Sequence, residues 1–164
     1  MKVVIEHVFA DLTCAAYEEL FFDEAFNAAL GRALHLGRKL LLLERTPDRI
    51  TRHICYEPVR DPDSPANHVF GTSRASFVEE LDYDRPARRG AWRTIPNRFA
   101  DRVKNRGTLE IVDDPAGVRR IVRGEVDVKL FGFGRMIERM IVAEIEKSYA
   151  ATAAFTAEWL ARPR

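Results

Sequence analysis

The stretch GFGRMIERMIVAEIEKSYAATAAFTAEWL, residues 132–160, decides how the rest of this chain is arranged. Apolar or small residues recur at Phe133, Ile137, Ile141, Ile145, Tyr149, Thr152, Phe155 and Trp159. Steps of three and four residues trace one face of a 3.6-period helix. Arg135, Glu138, Arg139, Glu146, Lys147 and Glu158 fall mostly off that stripe and read as a wet face. No Gly or Pro interrupts the run between Gly134 and Pro163. At ~1.5 Å per residue the helix is about 40 Å long, enough to cross a small domain. A helix of this kind needs an apolar surface to lie on.

Working back from it, the preceding residues read mainly as strands. Val118 to Leu130 alternates most cleanly, with Val118, Val122, Val126, Val128 and Leu130 on one face. Arg119, Arg123, Glu125, Asp127 and Lys129 occupy the other, which is the pattern of an antiparallel strand with one wet side. Asp114-Pro115-Ala116-Gly117 is a turn signal before it. Thr108 to Val112, Arg89 to Ile95 and Arg74 to Asp84 are further strands. Arg49 to Glu57 and Lys39 to Arg45 form a hairpin across Thr46-Pro47-Asp48. Pro58 to Thr72, with three prolines and a glycine, reads as a long loop. Val3 to Phe9 is the first strand. Cys14 to Leu34 then reads as two short helices broken near Phe22-Asp23, with N-cap oxygens at Asp11 and Thr13 and an end marked by Gly31 and Gly37.

The expected fold class is therefore α+β: seven antiparallel strands curved around one long C-terminal helix, with two short helices after the first strand. At 164 residues a single domain, 1–164, is expected. A chain of that size buries roughly 70% of its unfolded surface and needs no staples. The net charge of +1 gives no global argument for nucleic acid or membrane. Cys14 and Cys55 form no metal-ligand or CxxC spacing, and the N-terminal residues contain no signal-peptide core. A cytoplasmic setting is the expectation.

From Gly107 onward the chain resembles an uncharacterised bacterial family of the START-like superfamily, which includes polyketide cyclases and birch-pollen-allergen-like proteins. The residues that carry the likeness are Gly124-Glu125-Val126-Asp127-Val128-Lys129-Leu130, then Gly132 and Gly134, then Ile137-Glu138, and finally Thr156-Ala157-Glu158-Trp159-Leu160. The opening Val3 to Leu20 fits as well. The chain departs from the family pattern at Phe131, Phe133 and Arg135, where a Pro and more aliphatic residues are usual. The resemblance implies a helix-grip fold with a hydrophobic cavity between sheet and helix, used for lipids, sterols, polyketides or other apolar metabolites. In some members that cavity supports catalysis.

Binding of a hydrophobic small molecule or lipid, without catalysis, is thus the leading expectation. A cyclase- or dehydratase-like enzyme using the same cavity, and an adaptor with a filled core, are the alternatives. Phe77, Leu81, Trp92, Val122 and Val126 are the expected sheet-side walls. Met136 and Met140, one turn apart on the helix, suit a wall that accepts varied apolar shapes, although core filling is the commoner role of buried methionine. Phe133, in a Phe-Gly-Phe-Gly loop, is the expected gate.

Three charged residues share parity with apolar or aromatic neighbours: Arg52 with Ile50, Ile54 and Tyr56, Glu79 with Phe77, Leu81 and Tyr83, and Arg120 with Val118, Val122 and Val126. An unpaired charge there is costly, so Glu79 is expected to pair with Arg52 or Arg120, or one of them to anchor a ligand's polar end. No catalytic residue, cofactor or metal site is assigned. His7, His35, His53 and His68 lack zinc-site spacing, and His53 is an acid or base only if it faces the cavity. Arg85 to Arg106 holds eight basic residues against Asp101, with Trp92 and Phe99 interleaved. An anionic-membrane contact is the functional expectation for that segment, nucleic acid is not expected, and a solvated strand face balanced by acids elsewhere is the plainer reading.

Overall fold

A computed structural model describes residues 1–58 and 76–162. The order is β1 (Lys2–Ala10), α1 (Cys14–Phe21), α2 (Glu24–Ala33), β2 (Leu36–Arg45), β3 (Arg49–Pro58), β4 (Phe77–Asp84), β5 (Arg89–Pro96), β6 (Val103–Asp114), β7 (Gly117–Val128) and α3 (Gly134–Leu160). All seven strands form one antiparallel sheet in the order β1-β7-β6-β5-β4-β3-β2. Strands β2 to β7 thus run as a meander, and β1 adds outside β7. The curved sheet and the long terminal helix make the α+β, helix-grip-like architecture expected from the sequence. Apart from Pro58, the loop expected at Pro58 to Thr72 lies outside the described residues. No helix among the described residues is long and apolar enough to cross a membrane.

Local chemistry sets the boundaries. The Thr13 hydroxyl accepts from Ala16 N–H at 3.2 Å and caps α1, while the Asp23 carboxylate accepts from Phe26 N–H at 2.6 Å and caps α2. Asn27 Nδ2 donates to the carbonyls of Phe21 and Asp23, so the break at residues 22–23 is itself hydrogen-bonded. Two expectations shift. Gly31 lies inside α2 and Gly37 inside β2, because the helix ends at Leu34 through backbone bonds to Leu30 and Arg32. Strand β6 is longer than Thr108 to Val112, because its pairing with β7 runs from Val103 to Asp114 and carries its polar first residues with it.

The curvature has a local cause. Trp92 on β5 is opposite Gly107 on β6, which is opposite Gly124 on β7, which is opposite Val3 on β1. The Trp92 indole lies across both glycines: a Cβ at Gly107 would sit 2.7 Å from the ring and 1.9 Å from the Arg123 carbonyl oxygen, and one at Gly124 would sit 3.3 Å from the ring. The aromatic ring fills the space two side chains would occupy, and the backbones close in beneath it.

Helix α3 is held at its ends. Near its start Ile137 packs with Val126 and Val128, and Glu138, expected on the wet face, turns back to accept from Val128 N–H at 3.1 Å. Near its end Phe155 and Trp159 stack on Phe26 of α2, with centroids 5.8 and 5.5 Å away. Phe155 is buried and Trp159 half-buried, and their aromatic partner at this end is Phe26 of α2.

Phe155→Ala should therefore cost about 3 kcal/mol in urea unfolding, as truncation of a buried Phe does; a loss below about 1 kcal/mol, typical of a surface site, contradicts this anchor. Gly107→Ala should cost more than the about 1–3 kcal/mol usual for overpacking, because the new methyl meets backbone rather than a movable side chain. An unchanged urea midpoint would show that the sheet does not depend on this close approach.

Candidate functional site

Alternation assigns one face of each strand to the helix side. On β3 these residues are Ile50, Arg52, Ile54 and Tyr56; on β4, Phe77, Glu79, Leu81 and Tyr83. Register places Arg52 opposite Leu81, Ile54 opposite Glu79 and Tyr56 opposite Phe77. Burial along this face is uneven. Beside α1 it is dense, with Phe22, Ile50, Tyr83, Ile111 and Val118 all at 1% exposure or less. Toward the other end Tyr56, Phe77, Glu79, Trp92 and Val103 are only half-buried.

The helix shows the same division. Of its 27 residues only Ile137, Phe155 and Thr156 are buried. Ile141, Val142, Ile145 and Tyr149, in the middle of the inward stripe, are half-buried. The close backbone approaches of α3 are to β7, β1 and α2. Ile141, Val142, Ile145 and Tyr149 pack from this side against the buried core.

The expected site residues divide accordingly. Leu81, Val122 and Val126 are fully buried core. Phe77, Glu79, Trp92 and Met140 are half-buried. Phe133 is 61% exposed and Met136 47%, and the neighbouring Phe131 is fully exposed, so these lie outside the inward stripe. Periodicity placed Phe133 on the stripe, but α3 begins only at Gly134. His53 has the parity opposite to Arg52 and Ile54, on the outer face, where it borders an open concavity of about 760 Å³ with Glu80, Arg93 and Arg106.

All three inward charges point where parity put them. Arg52 is 4% exposed; its Nη2 pairs with Glu79 at 3.4 Å, its Nη1 donates to the Phe21 carbonyl at 3.2 Å, and its guanidinium lies over the Phe21 and Phe22 rings. Arg120 is 2% exposed and has no carboxylate partner among the described residues. Its Nη1 donates to the Tyr17 hydroxyl and its Nη2 to His7 Nδ1, each at 3.2 Å. The cation is sandwiched near the rings of Phe9, at 5.5 Å, and Tyr149, at 5.0 Å. Arg120 Nε is buried without a partner, as are Arg52 Nε and Trp92 Nε1.

The surrounding groups respond to this setting. Burial, and then the Glu79 carboxylate, push the Tyr56 phenol up to about 12. The same two causes raise Tyr149. Burial raises Tyr17 against the opposing charge of Arg120. Burial and then Arg120 hold His7 below its ordinary 6.5, consistent with a neutral ring whose Nδ1 accepts the guanidinium bond. The sequence reading missed Tyr17 and His7 as members of this cluster; it put Tyr56 on the inward face with Arg52 but gave its hydroxyl no role. Tyr149 was legible only as one stripe position, and its hydroxyl was the available hint, since a buried Tyr usually needs a partner.

The basic segment is spread over a turn and the outer face. Arg85 pairs with Glu18 and Glu19 of α1, Arg88 with Asp113, Arg89 with Glu110, Arg93 with Glu80, and Arg106 with Glu125.

Because native His7 binds its proton less readily than the unfolded chain, its contribution to stability is complete above about pH 6.5 and is lost as pH falls through the lowered native value. The urea midpoint should accordingly drop between pH 7.5 and pH 5, and His7→Asn should flatten that drop; an equal drop in the variant would place the acid sensitivity elsewhere.

Comparisons with known structures agree on the fold. TTHA0849 from Thermus thermophilus superposes with a TM-score of 0.66 at 12% identity, over 99% of this chain and 100% of that one. A Rhodobacter sphaeroides protein gives 0.61 at 10% identity, over 98% and 92%. CV1439 from Chromobacterium violaceum gives 0.59 at 12% identity, over 95% and 97%. Identities this low speak to architecture alone. No curated protein matches the chain. The family profile described as a protein of unknown function, DUF2505, matches residues 76–160, from just before β4 to the end of α3 and more than half of the sequence, and the chain belongs to that family.

Proposed function

We propose that this domain binds a hydrophobic small molecule or lipid between the middle of α3 and the inner faces of β3–β5. The observation that carries the reading is the burial profile of α3. A helix serving only to cover a sheet would bury its whole apolar stripe. This one buries Ile137 at one end and Phe155 and Thr156 at the other, while Ile141, Ile145 and Tyr149 stay half-buried. The sheet residues across from them, Trp92, Phe77 and Tyr56, are half-buried as well. Apolar walls with a few polar groups are the ordinary make-up of a small-molecule site. The START-like resemblance points the same way.

Binding is favoured over catalysis by the state of the polar groups. Tyr56 and Tyr149 are pushed above the ordinary phenol range, so near neutral pH they remain protonated donors rather than bases. They suit holding a ligand better than moving its protons.

Titration with a fluorescent long-chain fatty acid tests the proposal. Saturable binding is expected, and Ile145→Trp, which fills the middle of the stripe, should weaken it at least tenfold with a thermal midpoint unchanged or raised. Absence of binding, or binding indifferent to Ile145→Trp, would leave the adaptor reading in its place.

A further inference from the structure

The interior charges do not balance. Two arginines are buried on the inner face, Arg52 and Arg120. Among the described residues, the carboxylates that lie deep beside this face of β3, β4 and α1 are Glu18, at 7% exposure, and the half-buried Glu79. Glu79 is taken by Arg52 at 3.4 Å. Glu18 is taken from the other side by Arg85 at 2.8 Å and by the Tyr83 hydroxyl at 3.1 Å. Among the described residues Arg120 keeps only neutral hydrogen-bond partners, the Tyr17 hydroxyl and His7 Nδ1, and its Nε–H has none. A guanidinium does not escape this by losing its proton. It stays a cation in a low-dielectric place, where an unanswered charge is costly.

Next to it stands a second incomplete group. The Tyr149 ring lies 5.0 Å from the Arg120 guanidinium carbon, and among the described residues its hydroxyl makes no hydrogen bond. Tyr149 is half-buried and packs on the sheet through Arg120 and the core beside it. Its hydroxyl borders the proposed binding space, and the buried Arg120 cation lies directly behind its ring.

Resting on the binding reading above, we infer that the ligand is an amphiphile with a carboxylate head, and that Arg120 and Tyr149 hold that head. A carboxylate matches the planar fork of a guanidinium and accepts from a phenol as well. It supplies the missing negative charge where a neutral head would leave it missing. The apolar body of the ligand then runs along Ile145, Ile141 and Trp92, away from the charge. Arg52 does not compete for the head, because Glu79 already answers it.

The test compares pyrene-labelled dodecanoic acid, its methyl ester and the corresponding alkyl phosphate, titrated at pH 8 against the whole chain. The acid should bind at least tenfold more tightly than the ester. Arg120→Met should bring the acid-to-ester ratio down to about one, and Tyr149→Phe should reduce that ratio by a smaller factor. Equal binding of acid and ester would overturn the carboxylate assignment and leave the binding reading standing. Tighter binding of the phosphate than of the acid would overturn it in favour of a phosphate head. If neither acid, ester nor phosphate binds, both readings fall. A folded Arg120→Met variant, checked by circular dichroism, that loses acid and ester equally would make Arg120 a packing residue and overturn the assignment. Should Arg120→Met not fold, Tyr149→Phe decides: an unchanged acid-to-ester ratio would overturn it.

Discussion

The clamping of α3 at two separated points is the constraint on which the rest of this structure depends. Ile137 on Val126 and Val128 holds one end, and Phe155 with Trp159 on Phe26 holds the other, about 27 Å further along the helix. A rigid rod fixed at both ends does not sag to meet a curved surface. The sheet bends away beneath it because Trp92 occupies the space above Gly107 and Gly124 and lets those backbones close in. The half-buried middle of the stripe follows from these two facts together. The ends are tight, and the middle of the stripe packs on the core while keeping part of its surface exposed.

The polar interior has a different logic. Burying an ion costs several kcal/mol even after relaxation, and a partner recovers that cost only with good geometry. Arg52 meets Glu79 at the long distance of 3.4 Å and adds a carbonyl and two aromatic faces. Arg120 meets no carboxylate among the described residues and relies on a phenol, an imidazole and two rings. Such an arrangement is poor as a device for stability, since an apolar residue of similar size would pack there at less cost. It ties α1, β1, β7 and α3 to one point, and it is the place where this interior is least self-sufficient.

The outer face follows ordinary rules. The cations of Arg85 to Arg106, conspicuous as a run in the sequence, are distributed by the sheet among acids from α1, β4, β6 and β7. Exposed pairs of this kind are worth about 1 kcal/mol at most and are screened by salt. Glu18 and Glu19, near the start of the chain, supply part of that balance through Arg85.

What the sequence determined by itself was periodicity. The 3.6-residue stripe of α3, the period-2 alternation of β7 and the break between α1 and α2 at Phe22-Asp23 all stand as read, because each is a local repeat enforced by backbone geometry. Parity alone also turned Arg52, Glu79 and Arg120 inward. Only the tertiary structure decided which of them met. Glu79 lies on β4, next to β3 and three strands from β7, so sheet order gave it to Arg52 and left Arg120 to Tyr17, His7 and Tyr149 from three other elements. The same holds for the glycines under Trp92. Gly107 and Gly124 are 17 residues apart and unremarkable in the sequence, and they became one feature only when register set them side by side. Phe133 shows the limit in the other direction: it is the N-cap of α3, its carbonyl accepting from Ile137 N–H at 3.1 Å, but its own backbone is not helical, so its ring leaves the stripe and is exposed.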